Sequence, residues 1–442
     1  MLNPVINSRR VFLALIVIGA ILRVMMIQQR PADAILRAPD EGEYVAITYN
    51  LAHGHGFALN GEQTAYRDML FPVVASVVFR LTGDSIPLVL YLQVILSVTT
   101  GMLIYRLGRT RFSESVALVM AAVWIFYPAA VIFSALFLTE TLFVFLWVLA
   151  LVLHDRLNDR GYRTPDAALL GLALGLVMLA RAVGMILLVA VLVYIALIRY
   201  EAPRKDRWRA VLIVLAASLI VTVPWMIRNA MVLDRFALNT NGGINLLIGN
   251  NPRATGTYLF DEDVQGLLPP AERGEAARDR AGTAIARDYM REHKRETVDL
   301  WGRKFAYLWA TDMSLWAHYL PVRDTSLREH LRSLPLLWLI LAALPYMLIV
   351  SLGVSGFYLV RHFPARGIFI LQLFLGVMAA CMSYGLARYH FPYIPACIVG
   401  AGALYKPRVW KDSPPWRRLL LLFILGLFLG IWLLEIMTIA GI

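Results

Sequence analysis

The chain has 442 residues, of which 59% are hydrophobic and 16% charged, and its mean hydropathy is +0.64. Soluble domains run at roughly 45–50% apolar and about 25% charged. A soluble enzyme, a disordered tail and a disulfide-built secreted domain are therefore excluded, and a multi-span membrane protein is expected. The balance of 42 Lys+Arg against 30 Asp+Glu, net +12, has two readings. In a soluble protein it would suggest nucleic acid; in a membrane protein it reports orientation, because cytoplasmic loops collect basic residues.

A spanning helix needs about 20 mostly apolar residues. Such runs occur near 11–28, 86–105, 116–136, 138–153, 167–181, 183–198, 210–227, 335–360, 367–386, 391–405 and 419–438. They predict an all-α polytopic protein with about eleven transmembrane helices, since spanning backbone must satisfy its own hydrogen bonds. The first run follows Arg9 and Arg10 but lacks a small-x-small cleavage signal, so it reads as a retained helix. Arg23 near its end is expected to snorkel to the outer interface or to line a cavity. Interior prolines such as Pro128, Pro224, Pro345 and Pro395 mark kinks.

With the N-terminus inside, the cytoplasmic segments are 1–10, 106–115, 154–166, 199–209, 361–366 and 406–418. They hold 20 Lys+Arg and 7 Asp+Glu, while the short outside connections carry only Arg181 and Arg388. The orientation is N-inside and C-outside, and nucleic acid drops out as a partner. Two long outside segments remain, 29–85 and 228–334. The expected organisation is a membrane module over 1–227 (spans 1–7, with the first outside loop), the large outside loop 228–334, and a second membrane module over 335–442 (spans 8–11). Cys381 and Cys397 lie in expected spans, and two cysteines build no metal cluster.

The first outside loop carries Asp40, Glu41 and Glu43 within four residues. Tyr44, Ile47, Thr48 and Leu51 then mark one face of a short amphipathic helix, ended by Gly54 and Gly56. A second amphipathic piece, Leu70 to Leu81, is placed at the membrane interface. Asp40 and Glu43 read either as a capping-box variant or as an acidic centre at the membrane surface. His53 and His55 do not share a helix face and read as turn residues. Arg67, after Tyr66, can fork onto a phosphate or anchor to headgroups.

In the large loop, NTNGGINLLIGNNPRATGTY favours turns. Asn250, Asn251 and Tyr258 are its candidates for reading sugar hydroxyls, beside ordinary loop architecture. Residues 268–334 are helical in pattern, and Trp301, Trp309 and Trp316 fall near one helical face as a packing or interface stripe.

The ordered set of motifs resembles bacterial members of the C-type (GT-C) glycosyltransferase superfamily, in the branch of the protein O-mannosyltransferases and the lipid A aminoarabinose transferase. The set runs Asp40-Glu41-x-x-Tyr44, Asn50-Leu51-Ala52-x-Gly54-x-Gly56-Phe57, Thr64-Ala65-Tyr66-Arg67 before Phe71-Pro72, then Thr139-Glu140-Thr141 and Leu179-Ala180-Arg181. Pro224-Trp225-x-x-Arg228-Asn229, the Asn241–Pro252 run and Arg388-Tyr389 with Pro392 and Pro395 complete it. Two positions depart: family members often carry proline after the arginines at 67 and 181, where this chain has Asp68 and Ala182. Asp68 puts a negative charge beside Arg67. The chain also ends soon after the eleventh expected span, so acceptor recognition is expected to fall to the two outside loops.

The resemblance implies a sugar donor carried on a polyprenyl phosphate and transferred on the extracytoplasmic face of a bacterial plasma membrane to a glycan, lipid or protein acceptor not identified by sequence. It makes Asp40 the candidate base, with Glu41 assisting. Such a reaction needs a carboxylate to take the acceptor proton and positive charge on the departing phosphate; in-line attack inverts the anomeric centre. Arg67 with Tyr66, Arg181 and Arg388 are candidates for the phosphate, whereas Arg228 reads as the ordinary end of a span. Glu43, Tyr44 and Glu140 are candidates for substrate contact. No organic cofactor is implied; the sequence leaves a divalent cation open, and the resemblance argues against one. The rival class is a transporter or flippase of lipid-linked sugars, which would place charges at mid-bilayer on broken helices.

Overall fold

The protein was analysed as a computed structural model that describes residues 4–30, 39–198, 202–319, 331–332, 335–360, 366–405, 410 and 413–440. The tail of the large loop and parts of the basic connections at 199–201, 361–365, 406–409 and 411–412 lie outside the described residues. Helices dominate. In chain order they are α1 (Pro4–Gln29), α2 (Pro39–Ala52), α3 (Leu70–Thr82), α4 (Ile86–Arg109), α5 (Glu114–Phe126), α6 (Pro128–Ser134), α7 (Glu140–Asp159), α8 (Thr164–Ala180), α9 (Met185–Val193) and α10 (Arg204–Leu233). The large loop supplies α11 (Gly242–Gly249), α12 (Glu262–Gly266), α13 (Glu275–Glu292) and α14 (Lys294–Leu308). The chain then adds α15 (Leu336–Leu359), α16 (Arg366–Met382), α17 (Ile394–Gly402) and α18 (Pro415–Ala440).

Every expected span coincides with a helix or a helix pair, but their lengths differ from a uniform set of eleven. Among the described residues five helices are long and apolar enough to cross a membrane: Ser8–Gln29, Ile86–Arg109, Arg204–Leu233, Leu336–Leu359 and Pro415–Ile439. The pair α5–α6, bent by 52°, makes a sixth if it counts as one span. The others are shorter. Thr164–Ala180, at 17 residues, extends only about 25 Å at 1.5 Å per residue. Hydropathy alone cannot separate a crossing helix from an apolar one enclosed by neighbours, and much of α7 and α8 is buried inside the bundle.

The α5–α6 break has a local cause. Pro128 has no N–H to continue the ladder, so carbonyls near the bend need other donors. Arg23 supplies one: its Nη1 donates to Ile125 O at 2.9 Å and to Gly19 O at 3.0 Å, and its Nε donates to Ser97 Oγ at 2.9 Å. Arg23 is fully buried; it neither snorkels nor lines a cavity, but ties α1 and α4 to the broken span. Three hydrogen bonds to protein oxygens offset much of the cost of burying the guanidinium, although its Nη2 has no partner among the described residues.

The first outside loop folds onto the bundle. Tyr44, Ile47 and Thr48 of α2 are buried, as the periodicity requires, and Gly54 and Gly56 at positive φ end the helix. A hairpin follows, β1 (Ala58–Leu59) pairing antiparallel with β2 (Glu62–Gln63). Its Asn60-Gly61 turn has both residues at positive φ, the geometry this dipeptide favours. α3 buries Phe71, Ala75 and Phe79.

The Asn-Gly run is not all turn: Gly242–Gly249 is helical and packs on α13. A Cβ on Gly243 would lie 1.9 Å from Asp279 O, so only glycine permits that approach. The tryptophan stripe is broken, because α14 stops at Leu308. Trp309 is buried against His390 and Phe428, Trp301 is exposed, and Trp316 sits in a 3-10 stretch, Asp312–Tyr319. Cys381 and Cys397 are buried and form no disulfide.

Candidate active site

A cavity of about 990 Å³ opens where the two long loops, 29–85 and 228–334, meet the ends of the membrane helices. Asp40, Glu43, Tyr44, Tyr66, Arg67, Glu140, Arg181, Tyr258 and Arg388, all singled out by sequence, lie on its wall. They come from chain segments far apart: the start of α2, the loop before α3, the start of α7, the α8–α9 turn, the large loop, and the 3-10 stretch Ala387–Tyr393.

Asp40 is the centre of the charge arrangement. It lies in the first turn of α2, and the capping-box reading does not describe it, because both carboxylate oxygens go to arginines instead. Arg67 Nη2 donates to Oδ1 at 2.7 Å and Arg388 Nη1 to Oδ2 at 2.8 Å. Arg67 Nε also donates to Glu43 Oε2 at 2.5 Å. Burial would raise the Asp40 carboxyl, but the Arg388 and Arg67 guanidiniums outweigh it and hold the group at about 2. Burial would likewise lower Arg67, and Asp40 and Glu43 push it up instead. Arg67 stands over the rings of Tyr44 and Tyr66 at 5.7 and 5.4 Å, contacts that favour a cation. Burial pushes the Tyr66 phenol up to about 12, so it is a proton donor at neutral pH.

A second ion pair lies on the same wall: Arg181 Nη1 donates to Glu140 Oε1 at 2.5 Å. Glu140 Oε2 and Arg388 Nε are enclosed and receive no hydrogen-bond partner. Arg388 Nε is walled in beside the bond that Nη1 makes to Asp40.

Other candidates fall elsewhere. Glu41 turns away from Asp40: its side chain is fully buried, held by Arg30, and its Oε1 accepts the Phe137 N–H at 2.5 Å. That places it as a tie between α2 and the α6–α7 connection, off the cavity wall. Asn250 is buried and donates to Leu246 O at 2.8 Å and Met382 O at 2.7 Å, and Asn251 donates to Leu247 O at 2.8 Å. Both serve loop architecture, while Tyr258 alone of that trio reaches the cavity. Arg228 donates to Thr64 O at 2.8 Å and Gln63 Oε1 at 2.5 Å, supporting the hairpin.

Three features were not anticipated. Asp68 and Ala182, the two departures from the family pattern, are partners: the Ala182 N–H donates to Asp68 Oδ1 at 3.2 Å. A proline at 182 would have no such donor. Next, the segment carrying Arg388 is pinned from behind. His390 Nε2 lies 2.9 Å from Asp312 Oδ1 and its Nδ1 2.8 Å from Leu308 O, and Tyr127 donates to the other oxygen of Asp312. His390 was visible in the run ARYHFPY, but its partner lies 78 residues away. Finally, Tyr384 and Tyr389 join the rim, Tyr389 donating to Tyr384 at 2.6 Å. Among the described residues no group of three or more His, Cys, Asp or Glu could hold a metal ion.

The sequence signature of the family "Dolichyl-phosphate-mannose-protein mannosyltransferase" matches residues 68–227, a little over a third of the chain. No curated protein matches the sequence. The apo oligosaccharyltransferase of Archaeoglobus fulgidus matches in structure with a TM-score of 0.51 at 16% identity, over 97% of this chain and 56% of that one. ArnT from Cupriavidus metallidurans, solved with undecaprenyl phosphate, aligns at 12% identity and TM-score 0.46 over 91% of this chain and 81% of its own. The chain thus spans little more than half the length of the oligosaccharyltransferase. The protein is a multi-pass membrane protein with the GT-C fold, as its motifs implied.

Proposed function

We propose that the protein is a membrane glycosyltransferase that moves a sugar from a polyprenyl-phosphate donor to an acceptor hydroxyl on the extracytoplasmic face, with inversion. The observation that carries this reading is the sharing of Asp40 between Arg67 and Arg388 on a cavity wall. A general base must be within reach of the acceptor proton, and cations must face the phosphate. Here one carboxylate and two guanidiniums form a single unit on the cavity wall. The fold and the partial family match support the same class.

Held by Arg388 and Arg67, Asp40 is too weak a base, at about 2. A donor phosphate competing for the guanidiniums would loosen their hold on Asp40 and raise its proton affinity where the acceptor arrives. Substrate binding thereby activates the base. The phosphate leaves as a stable anion, so the reaction needs no strong general acid. Arg181 is the nearest further cation, held by Glu140.

A flippase is the rival, and the broken helix α5–α6 is the observation in its favour. The charge at that break, Arg23, is bonded inside the protein and lies off the cavity wall, which leaves nothing there for a moving headgroup. The test uses purified protein with labelled polyprenyl-phosphate sugars and a membrane acceptor fraction. Asp40→Asn should reduce transfer by about 100- to 10,000-fold with helix content unchanged. Full transfer by this variant would remove the base assignment, and lipid translocation in liposomes without a glycosidic product would favour the flippase.

A further inference from the structure

Asp68 has no part in the reaction outlined above, yet it stands on the cavity wall. Its Oδ1 is fixed from two sides, by the Ala182 N–H at 3.2 Å and by Asn239 Nδ2 at 2.9 Å. Those donors come from the α8–α9 turn and from the large loop, so the carboxylate is clamped between separate parts of the structure. Its Oδ2 receives no hydrogen bond from the described residues. Nor is it one of the enclosed polar atoms left without a partner, so it opens on the cavity. The nearby arginines are engaged elsewhere: Arg67 with Asp40 and Glu43, Arg181 with Glu140.

An oxygen held this way is suited to recognising a ligand donor. An acceptor-only group pointing into a cavity recognises a ligand O–H or N–H, and rigid anchoring of the other oxygen removes most of the ordering cost. A phosphate offers no such donor and would be repelled. Within a lipid-phosphate sugar donor the recognised part is then the sugar. Burial raises the affinity of this carboxyl for a proton, against the pull of Arg181, which is the cost a bound donor group would offset.

We propose that Asp68 is a sugar-binding residue of the donor site, its Oδ2 accepting a hydrogen bond from a hydroxyl or ammonium group of the sugar to be transferred. The inference rests on the reading of the cavity as a lipid-phosphate sugar site. It makes Asp68 a determinant of which sugar is accepted, because a site built to bond a polar group discriminates against analogues that lack it.

The test measures binding without acceptor, so that transfer chemistry does not enter. The probes are undecaprenyl phosphate alone and the same lipid carrying mannose, glucose or arabinose. Wild-type protein should bind at least one sugar-bearing lipid more tightly than the bare lipid. Asp68→Asn keeps an oxygen for Ala182 and Asn239 but turns the cavity-facing atom into a donor. Its preference for the sugar-bearing lipid should fall by about 10- to 100-fold, the range for losing a charge-assisted hydrogen bond, while bare-lipid affinity stays unchanged. Equal preferences in wild type and variant, or no sugar preference in wild type, would overturn the inference. Should the variant fail to fold, monodeoxy analogues of the preferred sugar test wild type alone: one position must show the same loss, and no loss at any position is a refutation. The underlying reading has its own control. If wild type binds bare undecaprenyl phosphate no better than Arg388→Ala, the lipid-phosphate site itself is wrong, a result read from the bare lipid and not from the sugar series.

Discussion

With both oxygens of Asp40 taken by arginines, the residue has consequences for stability as well as for the proposed catalysis. Its folded-state value of about 2 lies below the ordinary aspartate value of about 3.9. A depressed carboxylate stabilises the fold above its unfolded value and loses that contribution as pH falls through its folded one. The thermal midpoint of wild type relative to Asp40→Asn should therefore decline as pH drops from about 4 to about 2; a constant difference across that range would mean that the arginines do not hold Asp40 in solution. At this scale the sequence was legible wherever chemistry and position coincide. Asp40 was singled out through the family resemblance, Arg67 as a guanidinium closing the first loop and Arg388 because the span before it is free of basic residues, and the fold brings the three together. Glu41 was placed with Asp40 because they are adjacent, yet neighbours on a helix point about 100° apart, and Glu41 turns to Arg30. Asn250 and Asn251 were over-read for a similar reason: amide side chains that satisfy local carbonyls look the same in sequence as amides that bind ligands.

Between elements, two contacts carry testable weight. α15 and α17 approach through glycines, and a Cβ on Gly356 would lie 1.7 Å from Gly400 O. Gly356→Ala should lower the thermal midpoint by forcing the helices apart, a cost of about 1–3 kcal/mol or more for overpacking. Gly426→Ala, where a Cβ meets nothing within 4 Å, should leave the midpoint unchanged; equal behaviour of the two variants would contradict the packing. The second contact is Lys304 on α14, fully buried, donating to Asn250 Oδ1 at 2.8 Å and Cys381 O at 3.0 Å. Burial lowers its value to about 8, so between about 8 and its ordinary value of about 10.4 the unfolded chain binds more protons than the folded one. Stability should rise with pH there. Lys304→Met should lack that rise, and the difference between the two proteins over about pH 8 to 9.5 removes the tyrosine ionisation they share. Helix positions followed directly from hydropathy and periodicity. The α5–α6 break could be suspected from Pro128, whereas the role of Arg23 could not, because its partner Ile125 lies 102 residues away.

For the molecule as a whole, the charge asymmetry predicts a sidedness, and the cavity lies among the segments expected outside. The segments assigned to the cytoplasm carry the basic excess, while the first outside loop, with four arginines against seven carboxylates, holds Asp40. Cys381 and Cys397 are buried, which leaves a quiet background for labelling in intact cells. Glu62→Cys, in the exposed hairpin, should react with a membrane-impermeant maleimide from outside, and Arg160→Cys only after lysis. The reverse pattern would invert the topology and move the proposed chemistry to the cytoplasm. The pairing of Asp40 with Arg388 spans 348 residues, which sets a timetable for biosynthesis. A ribosome inserting this chain releases the acidic residue early and its second arginine near the end. Until then the half-made chain carries Asp40 with Arg67 alone, and the cavity wall is completed only when the segment bearing Arg388 has been inserted.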